Sequence, residues 1–234
     1  MNLSTRTIFN KAFKSSVPVM AGYVVIGIGF GILLRSHGLG LGWAVLMSVF
    51  IYSGTMQFVA VDLIASSASL VATAITTLMV SARHLFYSVT MLRQYSKAGK
   101  AKPILIWTLT DETYALVCNL DKDDSLPTDE DKTRYALFVS LLNQSYWVFG
   151  TALGSILGAA VSYDFAGIDF AMTALFVAVF VSQWEDKKNR IVAITGVVIS
   201  VACLVIWGAD NFLIPTMILI VVVLAAERKL GWVE

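Results

Sequence analysis

Long apolar stretches separated by short polar turns make up most of this chain. A transmembrane helix needs about 20 mainly apolar residues, and about eight stretches approach that length. None alternates apolar and polar positions as a barrel strand does, so helices are the structure that satisfies the backbone in lipid. The pattern predicts helical segments near residues 17–34, 43–65, 68–92, 103–120, 135–161, 167–184, 190–208 and 211–226.

Composition supports the same class. Hydrophobic residues make up 57% of the 234 positions and charged residues 14%, against about 45–50% and about 25% in soluble domains. The predicted fold class is therefore all-α: a polytopic integral membrane protein with about seven to eight hydrophobic segments, in one domain spanning 1–234. A typical cytosolic enzyme, a disordered chain and a secreted disulfide scaffold are excluded.

Several kinds of chemistry lack a sequence signal. The formal net charge is +1, which gives no strong field to attract nucleic acid. No phosphate-binding loop, zinc motif or nucleophile elbow occurs, so neither an ATP-driven pump nor a membrane hydrolase is expected. With two histidines in the chain, His37 and His84, we expect no protein-held metal and no cofactor.

Basic residues predict the orientation, with one conflict. Lysines and arginines within 6–14, 121–134 and 185–190 place these stretches and the N-terminus in the cytoplasm. The stretch 93–102 is equally basic, yet three full crossings from the N-terminus would put it outside. Broken or re-entrant helices are tolerated where they line a cavity. We therefore expect that segments 68–92 and 103–120 do not both cross simply.

A weak internal repeat is visible. A Tyr-x-x-x-Gly-x-x-x-Gly pattern begins at Tyr23 and again at Tyr146. Transporters are often built from repeats, and the echo predicts repeats over 15–120 and 134–228, although any two glycine-bearing membrane helices look alike. At this spacing glycines let helix backbones approach closely. The predicted packing glycines are Gly27, Gly31, Gly150 and Gly154.

Charged residues inside apolar segments are the first candidates for chemistry. Arg83 and His84 interrupt one segment, and an arginine there costs about 2.5–3.5 kcal/mol on insertion scales, so it is expected to face a cavity or a partner. The alternative is a segment that ends early, with Arg83 reaching the headgroups. Asp111 and Glu112 interrupt the next segment. One of them can pair with Arg83 and the other face a substrate or a proton path; a structural ion pair is the alternative.

A polar stretch inside segment 43–65 is the second candidate. It contains Tyr52, Gly54 and Gln57, with small residues between them. The composition predicts a kink or an unwound stretch whose freed backbone groups bind a ligand. A polar contact between helices through Gln57 is the alternative.

Together these motifs resemble the AzlC family, the large subunit of two-component branched-chain amino acid exporters. The resemblance covers about 17–226 and is most specific at 52–58, at Arg83-His84 with Tyr87, and at 110–112. The family typically has asparagine where this chain has Ala82.

The resemblance implies a non-enzymatic secondary transporter in the bacterial cytoplasmic membrane. It would export valine, and with it leucine, isoleucine and methionine, using the proton gradient and a small hydrophobic AzlD-type partner. A channel or carrier for another small solute, or a scaffold subunit that does not transport, are the alternatives. We hypothesise that Arg83 holds the substrate carboxylate and that Asp111 or Glu112 meets the ammonium or carries the proton. Gln57, Tyr52 and the backbone near Gly54 would supply hydrogen bonds, and His84 could carry a proton.

Overall fold

The protein is described from a computed structural model, which covers residues 3–160, 190–208 and 212–229, together with positions 177, 180, 181 and 184. These residues form helices and turns and no strand, which confirms the all-α class. The chain divides into two compact units, 1–169 and 170–234.

Eight helices form the described part of the first unit, with short 3-10 turns before α6 and after α7. They are α1 Thr5–Ser36, α2 Leu41–Phe50, α3 Gly54–Ala65, α4 Leu70–Val80, α5 Ala82–Tyr95, α6 Lys102–Trp107, α7 Asp111–Val117 and α8 Asp129–Ala160. The described part of the second unit contains α9 Arg190–Trp207 and α10 Leu213–Lys229, which pack on each other. By length and composition, α1 and α9 can each cross a membrane.

The first unit is organised around α1 and α8, which run parallel to each other. Each has 32 residues, or about 48 Å. At one end the backbone N–H of Leu3 donates to Asp131, at 3.2 Å. Further along, the hydroxyls of Ser16 and Tyr146 lie 3.1 Å apart. Residue numbers therefore increase in the same direction along the two helices.

Glycines bring these two helices into backbone contact. A Cβ added at Gly31 would lie 2.2 Å from the carbonyl oxygen of Thr151, and one at Gly154 would lie 2.1 Å from that of Ile28. Gly150 is similarly close to α1, at 2.9 Å from the Val24 carbonyl oxygen. The site of a Cβ at Gly27 is 3.1 Å from the Thr151 nitrogen. A side chain at the tightest of these positions would force the helices apart.

The helices α2 and α3 form a hairpin that enters the unit and turns back; we call residues 41–65 the first hairpin. Ser48 on α2 meets Thr151 on α8 at 2.8 Å, and one residue later the Val49 carbonyl accepts from Gln144. α2 therefore runs against the direction of α8. Its 10 residues span about 15 Å, half of a hydrocarbon core of about 30 Å.

The second half of this hairpin returns to the end where α2 began. A Cβ at Gly54, the first residue of α3, would lie 3.3 Å from the Trp147 ring. One turn later, the rings of Phe58 and Phe30 pack edge to face with centroids 5.2 Å apart. Since Phe30 lies toward the C-terminus of α1, α3 runs toward that end of the unit. Segment 43–65 was expected to be helical with a kink or an unwound stretch near 52–57; two helices form it, and the helical backbone is interrupted at residues 51–53.

The helices α6 and α7 form an opposed hairpin, residues 102–117, which we call the second hairpin. Trp107 at the end of α6 donates to the Val49 carbonyl at 3.1 Å, so the tips of the two hairpins meet. α7 then descends along α8, with Thr113 accepting from Asn143 at 3.0 Å. The two helices have six and seven residues, about 9 and 10 Å, so neither can cross a membrane.

Between the hairpins, α4 and α5 form one kinked span. Ser81 alone separates them, whereas a reversal between antiparallel helices takes about 2–5 residues. α5 descends toward the N-terminus of α8, where Lys97 pairs with Asp129 at 3.0 Å. The basic stretch 93–102 therefore lies at the same end as the N-terminus of α1.

We call this end the basic end, because it collects the positive charge of the unit. Its described basic residues are Arg6, Lys11, Lys14, Arg93, Lys97, Lys100, Lys102, Lys132 and Arg134. The opposite end, formed by residues 35–41 and 66–69, carries Arg35 and His37. Segments 68–92 and 103–120 were expected not to both cross simply, and 103–120 forms the second hairpin rather than one long helix. Segment 68–92 forms the two helices α4 and α5, interrupted at Ser81.

An ion pair joins the two long helices at the basic end. Lys11 of α1 contacts the Asp123 carboxylate and the Ser125 hydroxyl in the connection before α8. The hydrogen bond from Lys11, followed by that from Ser125, lowers the pKa of Asp123 to about 2. Asp123 therefore stays ionised down to strongly acidic pH and holds this connection against α1.

The remaining predictions about segments have mixed outcomes. Helices lie where segments 17–34, 135–161, 190–208 and 211–226 were expected. Segment 167–184 falls almost wholly outside the described residues. The repeats 15–120 and 134–228 remain a prediction; α1 and α8, which carry the echoing pattern, are parallel, as they would be in repeats related by an axis along the membrane normal.

Candidate functional site

A polar centre lies where the tips of the two hairpins meet α1 and α8. At the first tip, Tyr52 adopts a left-handed backbone conformation with φ of 38°, which a non-glycine residue adopts only under local constraint. The Val49 carbonyl freed by this break accepts from Trp107 and from Gln144, at 3.1 and 3.3 Å. The Val49 carbonyl is therefore hydrogen-bonded by side chains of the protein itself.

The hydroxyl of Tyr23 lies at the middle of this centre. It is 2.6 Å from the Glu112 carboxylate, to which it donates, and 2.8 Å from the Thr110 hydroxyl. The Tyr23 ring packs edge to face on Trp147, with centroids 5.4 Å apart. A phenol on α1 thus holds the carboxylate at the tip of the second hairpin.

From Thr110 the contacts continue inward. The Thr110 hydroxyl donates to Thr113 at 3.2 Å, and Asn143 of α8 donates to Thr113 at 3.0 Å. Thr113 and Asn143 are fully buried. Among the described residues, the buried Asn143 side-chain carbonyl has no hydrogen-bond partner, and the buried Tyr52 hydroxyl faces Tyr23 and Thr110. Such carbonyl groups normally accept from a partner or from water, so Asn143 can accept a further hydrogen bond.

The short helix α7 begins here for reasons visible in its sequence. Thr110 caps it, and its hydroxyl accepts from the backbone N–H of Thr113. Asp111 and Glu112 follow in the first turn, where acidic side chains interact favourably with the helix dipole. The capping that starts α7 therefore also sets two carboxylates at the tip of the second hairpin.

Gln57 lies in a separate buried network. Its side-chain carbonyl accepts from the Trp147 indole at 2.7 Å, and its amide lies 3.4 Å from the Ser48 hydroxyl. Ser48 in turn meets Thr151 at 2.8 Å. Gln57 is 0% exposed, so in this structure it makes the polar contact between helices that was one of the two expectations.

The other expected residues fall around the centre. Gly54 packs against the Trp147 ring. Arg83 occupies the first turn of α5, and its side chain lies outside the described part of the chain. His84 is half-buried; its ring faces Tyr87 edge-on, and Tyr87 stacks on Tyr114 of α7 at 4.6 Å between centroids.

Glu112 differs from its neighbours because its side chain is accessible. It is exposed within the described residues, Asp111 is half-buried, and Thr113 is buried. Between tips that reach about the middle of the unit, an accessible carboxylate with a phenol donor can take up and release a proton. It can also meet a cationic group of a small solute.

The sequence patterns missed three members of this centre. Tyr23 begins the repeat pattern and was noted only for its spacing; Thr113 and Asn143 were not singled out. Asn143 offered a signal, since an amide inside an apolar segment needs a buried partner. Within the described residues, no group of three or more His, Cys, Asp or Glu side chains could hold a metal ion.

Comparison with known proteins agrees with this helical membrane architecture. The profile of the family described as AzlC protein matches residues 18–161, more than half of the chain. A Bacillus subtilis relative described as "Branched-chain amino acid transport protein AzlC" is 39% identical over 94% of this chain and 85% of its own length. A Helicobacter pylori relative described as "Uncharacterized membrane protein" is 38% identical over 94% of this chain and 95% of its own.

A more distant relative is the Escherichia coli "Inner membrane protein YgaZ", 24% identical over 90% of this chain and 85% of its own. No solved structure matches the chain. The fold and these relatives define the class, an α-helical integral membrane protein of the transport type. The chain belongs to the AzlC family.

Proposed function

We propose that this protein is the large subunit of a secondary transporter that exports branched-chain amino acids from the bacterial cytoplasm. Export would be coupled to protons and would require a small AzlD-type subunit. The observation that carries the proposal is the accessible Glu112 carboxylate at the meeting point of the two hairpins, held by Tyr23. The description of the Bacillus subtilis relative as a branched-chain amino acid transport protein supports the substrate class.

Each polar group in the centre has a role in the proposal. Glu112 or Asp111 meets the substrate ammonium or carries the coupling proton, and Arg83 receives the substrate carboxylate. Tyr52, whose buried hydroxyl faces Tyr23 and Thr110, supplies a further hydrogen bond. Gln57 supports the site indirectly, by accepting a hydrogen bond from the Trp147 indole.

The proposed orientation follows from the charge. The basic end lies in the cytoplasm, because lysine and arginine collect on that side of membrane proteins. The second hairpin then enters from the cytoplasm and the first hairpin from the outside. Their tips form a barrier near the middle, between the two aqueous sides.

Substrate choice is expected to be broad. An apolar pocket distinguishes one methylene by only about 1–3 kcal/mol. Valine, leucine, isoleucine and methionine should therefore compete with one another, whereas charged amino acids should not.

The proposal is tested by measuring valine efflux from cells loaded with a valine dipeptide. Wild type should export valine against its gradient, and Glu112→Gln should abolish this at equal expression. Arg83→Lys should impair efflux as well, because lysine keeps the charge and loses the planar fork. Tyr146→Phe, outside the polar centre, is the matched control and should behave as wild type.

Other outcomes identify the alternatives. Valine flux that never exceeds its gradient would indicate a channel. Full export by Glu112→Gln and Arg83→Lys together would contradict the site and indicate a subunit whose polar groups only hold helices together. Dissipating the proton gradient without effect on efflux would contradict the coupling.

A further inference from the structure

The turn that joins α5 to α6 carries an unbalanced positive charge at the basic end. Residues 93–102, which we call the basic corner, contain no acidic residue and four basic ones: Arg93, Lys97, Lys100 and Lys102. The connection 121–134, at the same end of the unit, has six acidic and three basic residues. Carboxylates that could neutralise the corner are therefore present in its own half of the unit.

Most of the charge of the basic corner nevertheless stays unpaired. Lys97 pairs with Asp129 at 3.0 Å. Arg93, Lys100 and Lys102 form no ion pair with any carboxylate of the described residues. Arg93 and Lys100 are exposed, and Lys102 is half-buried. Three cations in ten residues are therefore left to attract an anion from outside the chain.

The side of the corner that faces the middle of the unit is apolar. Val89 lies one helical turn before Arg93 on α5, so the two side chains share a helix face. Val89, Leu92 and Ile104 are all exposed. Leu92 precedes the corner on α5 and Ile104 follows it on α6. Exposed apolar side chains therefore adjoin the cations on both of the helices that the corner connects.

We propose that the basic corner binds the phosphate of an anionic phospholipid, whose acyl chains lie against Val89, Leu92 and Ile104. Arginine binds a phosphate through two parallel N–H donors, and lysine binds it as a point charge. Long basic side chains at a helix end also reach the level of the headgroups while their stems cover apolar surface. A soluble phosphate would use the cations and leave the apolar side chains uncovered.

The bound lipid would join two elements that the corner connects. Its phosphate contacts Arg93 at the end of α5 and Lys100 in the turn before α6, so it holds the base of the second hairpin against α5. This inference concerns the surface of the unit and goes beyond the transport proposal, on which it does not depend.

Native mass spectrometry of the full chain, released from detergent micelles, tests the proposal. The probes are phosphatidylglycerol and phosphatidylcholine with the same acyl chains. Each lysine or arginine near a membrane surface strengthens binding to anionic lipid by about 5-fold. Wild type should therefore bind its first phosphatidylglycerol at least about 10-fold more tightly than phosphatidylcholine. Arg93→Gln with Lys100→Gln should weaken phosphatidylglycerol binding by roughly 25-fold and leave phosphatidylcholine binding unchanged.

Two matched variants separate the position of the charge from its amount. Arg6→Gln with Lys14→Gln removes the same charge from exposed positions on α1 at the same end, and it should keep the wild-type preference. Arg93→Lys with Lys100→Arg keeps both charges in the corner and should also keep it. If the double glutamine variant of the corner does not fold, Lys100→Gln with Lys102→Gln should give the same loss.

Three results would overturn the proposal. Equal binding of the two lipids by wild type would show that the corner has no anion site. Equal losses in the corner and α1 double variants would show a diffuse attraction to the whole basic end. Displacement of phosphatidylglycerol by the same concentration of glycerol 3-phosphate would assign the site to a soluble phosphate. Valine efflux enters none of these measurements, so a failure of the transport proposal would leave the lipid site standing.

Discussion

The two hairpins have similar geometry and opposite chemistry at their tips. In the first, Gln57 is fully buried and satisfied by Trp147, and the freed Val49 carbonyl is bound by side chains. In the second, Glu112 is accessible and accepts a hydrogen bond from Tyr23. The first hairpin is thus fixed by neutral polar contacts, and the second carries the ionisable groups. A broken helix is therefore not by itself a binding site.

If the two hairpins enter the membrane from opposite sides, cysteine labelling should give an all-or-none result. In a variant lacking Cys118 and Cys203, single cysteines replace His37 or Ser66, and Lys100 or Asp124. An impermeant maleimide added to intact cells should label the first pair and leave the second unlabelled. If only one of the two cysteine positions that flank a hairpin were labelled, that hairpin would cross the membrane.

Both hairpins depend on the α1–α8 pair, so a break there should remove the folded protein. Gly31→Leu places a side chain against the Thr151 backbone, and we expect a destabilisation above about 4 kcal/mol. Gly29→Leu is the control, since nothing lies within 4 Å of its Cβ position. Gel filtration of fluorescent fusions should show a monodisperse peak for the control and none for Gly31→Leu. Equal peaks would refute the packing described here.

The first hairpin should respond to substitution in stability rather than in chemistry. Gln57→Leu leaves the buried Trp147 indole without its acceptor, which costs about 1–3 kcal/mol. Thermal unfolding in detergent should detect this loss. Glu112→Gln, on the accessible tip, should unfold within about 0.5 kcal/mol of wild type. A larger loss of stability in Glu112→Gln than in Gln57→Leu would show that the second hairpin, and not the first, has the structural role.

The smallest effect is expected where the second hairpin returns to the basic end. The pKa of Asp123 is lowered to about 2 by Lys11 and Ser125, whereas an unfolded aspartate titrates near 3.9. Its contribution is therefore fully present above about pH 4 and disappears as the pH falls toward 2. Because the pair is partly exposed, Asp123→Asn should cost at most about 1 kcal/mol at pH 7. The difference from wild type should vanish near pH 2, and Asp124→Asn should show no such difference.

How much the sequence could predict differs between the two hairpins. At the second, Thr110 with two following carboxylates is a helix start within an apolar segment, and the basic stretch 93–102 conflicted with simple crossing. Both signals are local. At the first, two short apolar helices follow each other so closely that their hydropathy resembles one segment long enough to cross a membrane. No proline marks the reversal at 51–53. Contacts with α1 and α8, such as the pairing of Ser48 with Thr151, distinguish a hairpin from a kinked span.

The polar centre was half predictable for a related reason. Asp111 and Glu112 were identified because charge is costly in an apolar segment. Tyr23 and Thr113 are neutral and cost little there, so no composition rule singles them out, and the Asn143 amide alone offered a signal. Their role arises from contacts between residues 30 to 89 positions apart, which a single sequence does not reveal.

The pairing of α1 with α8 also has a consequence for synthesis. Leu3 and Asp131, which join the two helix starts, are 128 residues apart. At about 5–20 residues per second, roughly 6 to 26 s pass between the emergence of one and of the other. During this interval the glycine groove of α1 faces lipid or the insertion machinery. A helix that waits this long is open to pairing with α1 of another nascent chain, so translation speed over the two hairpins should influence how much correctly assembled protein the cell obtains.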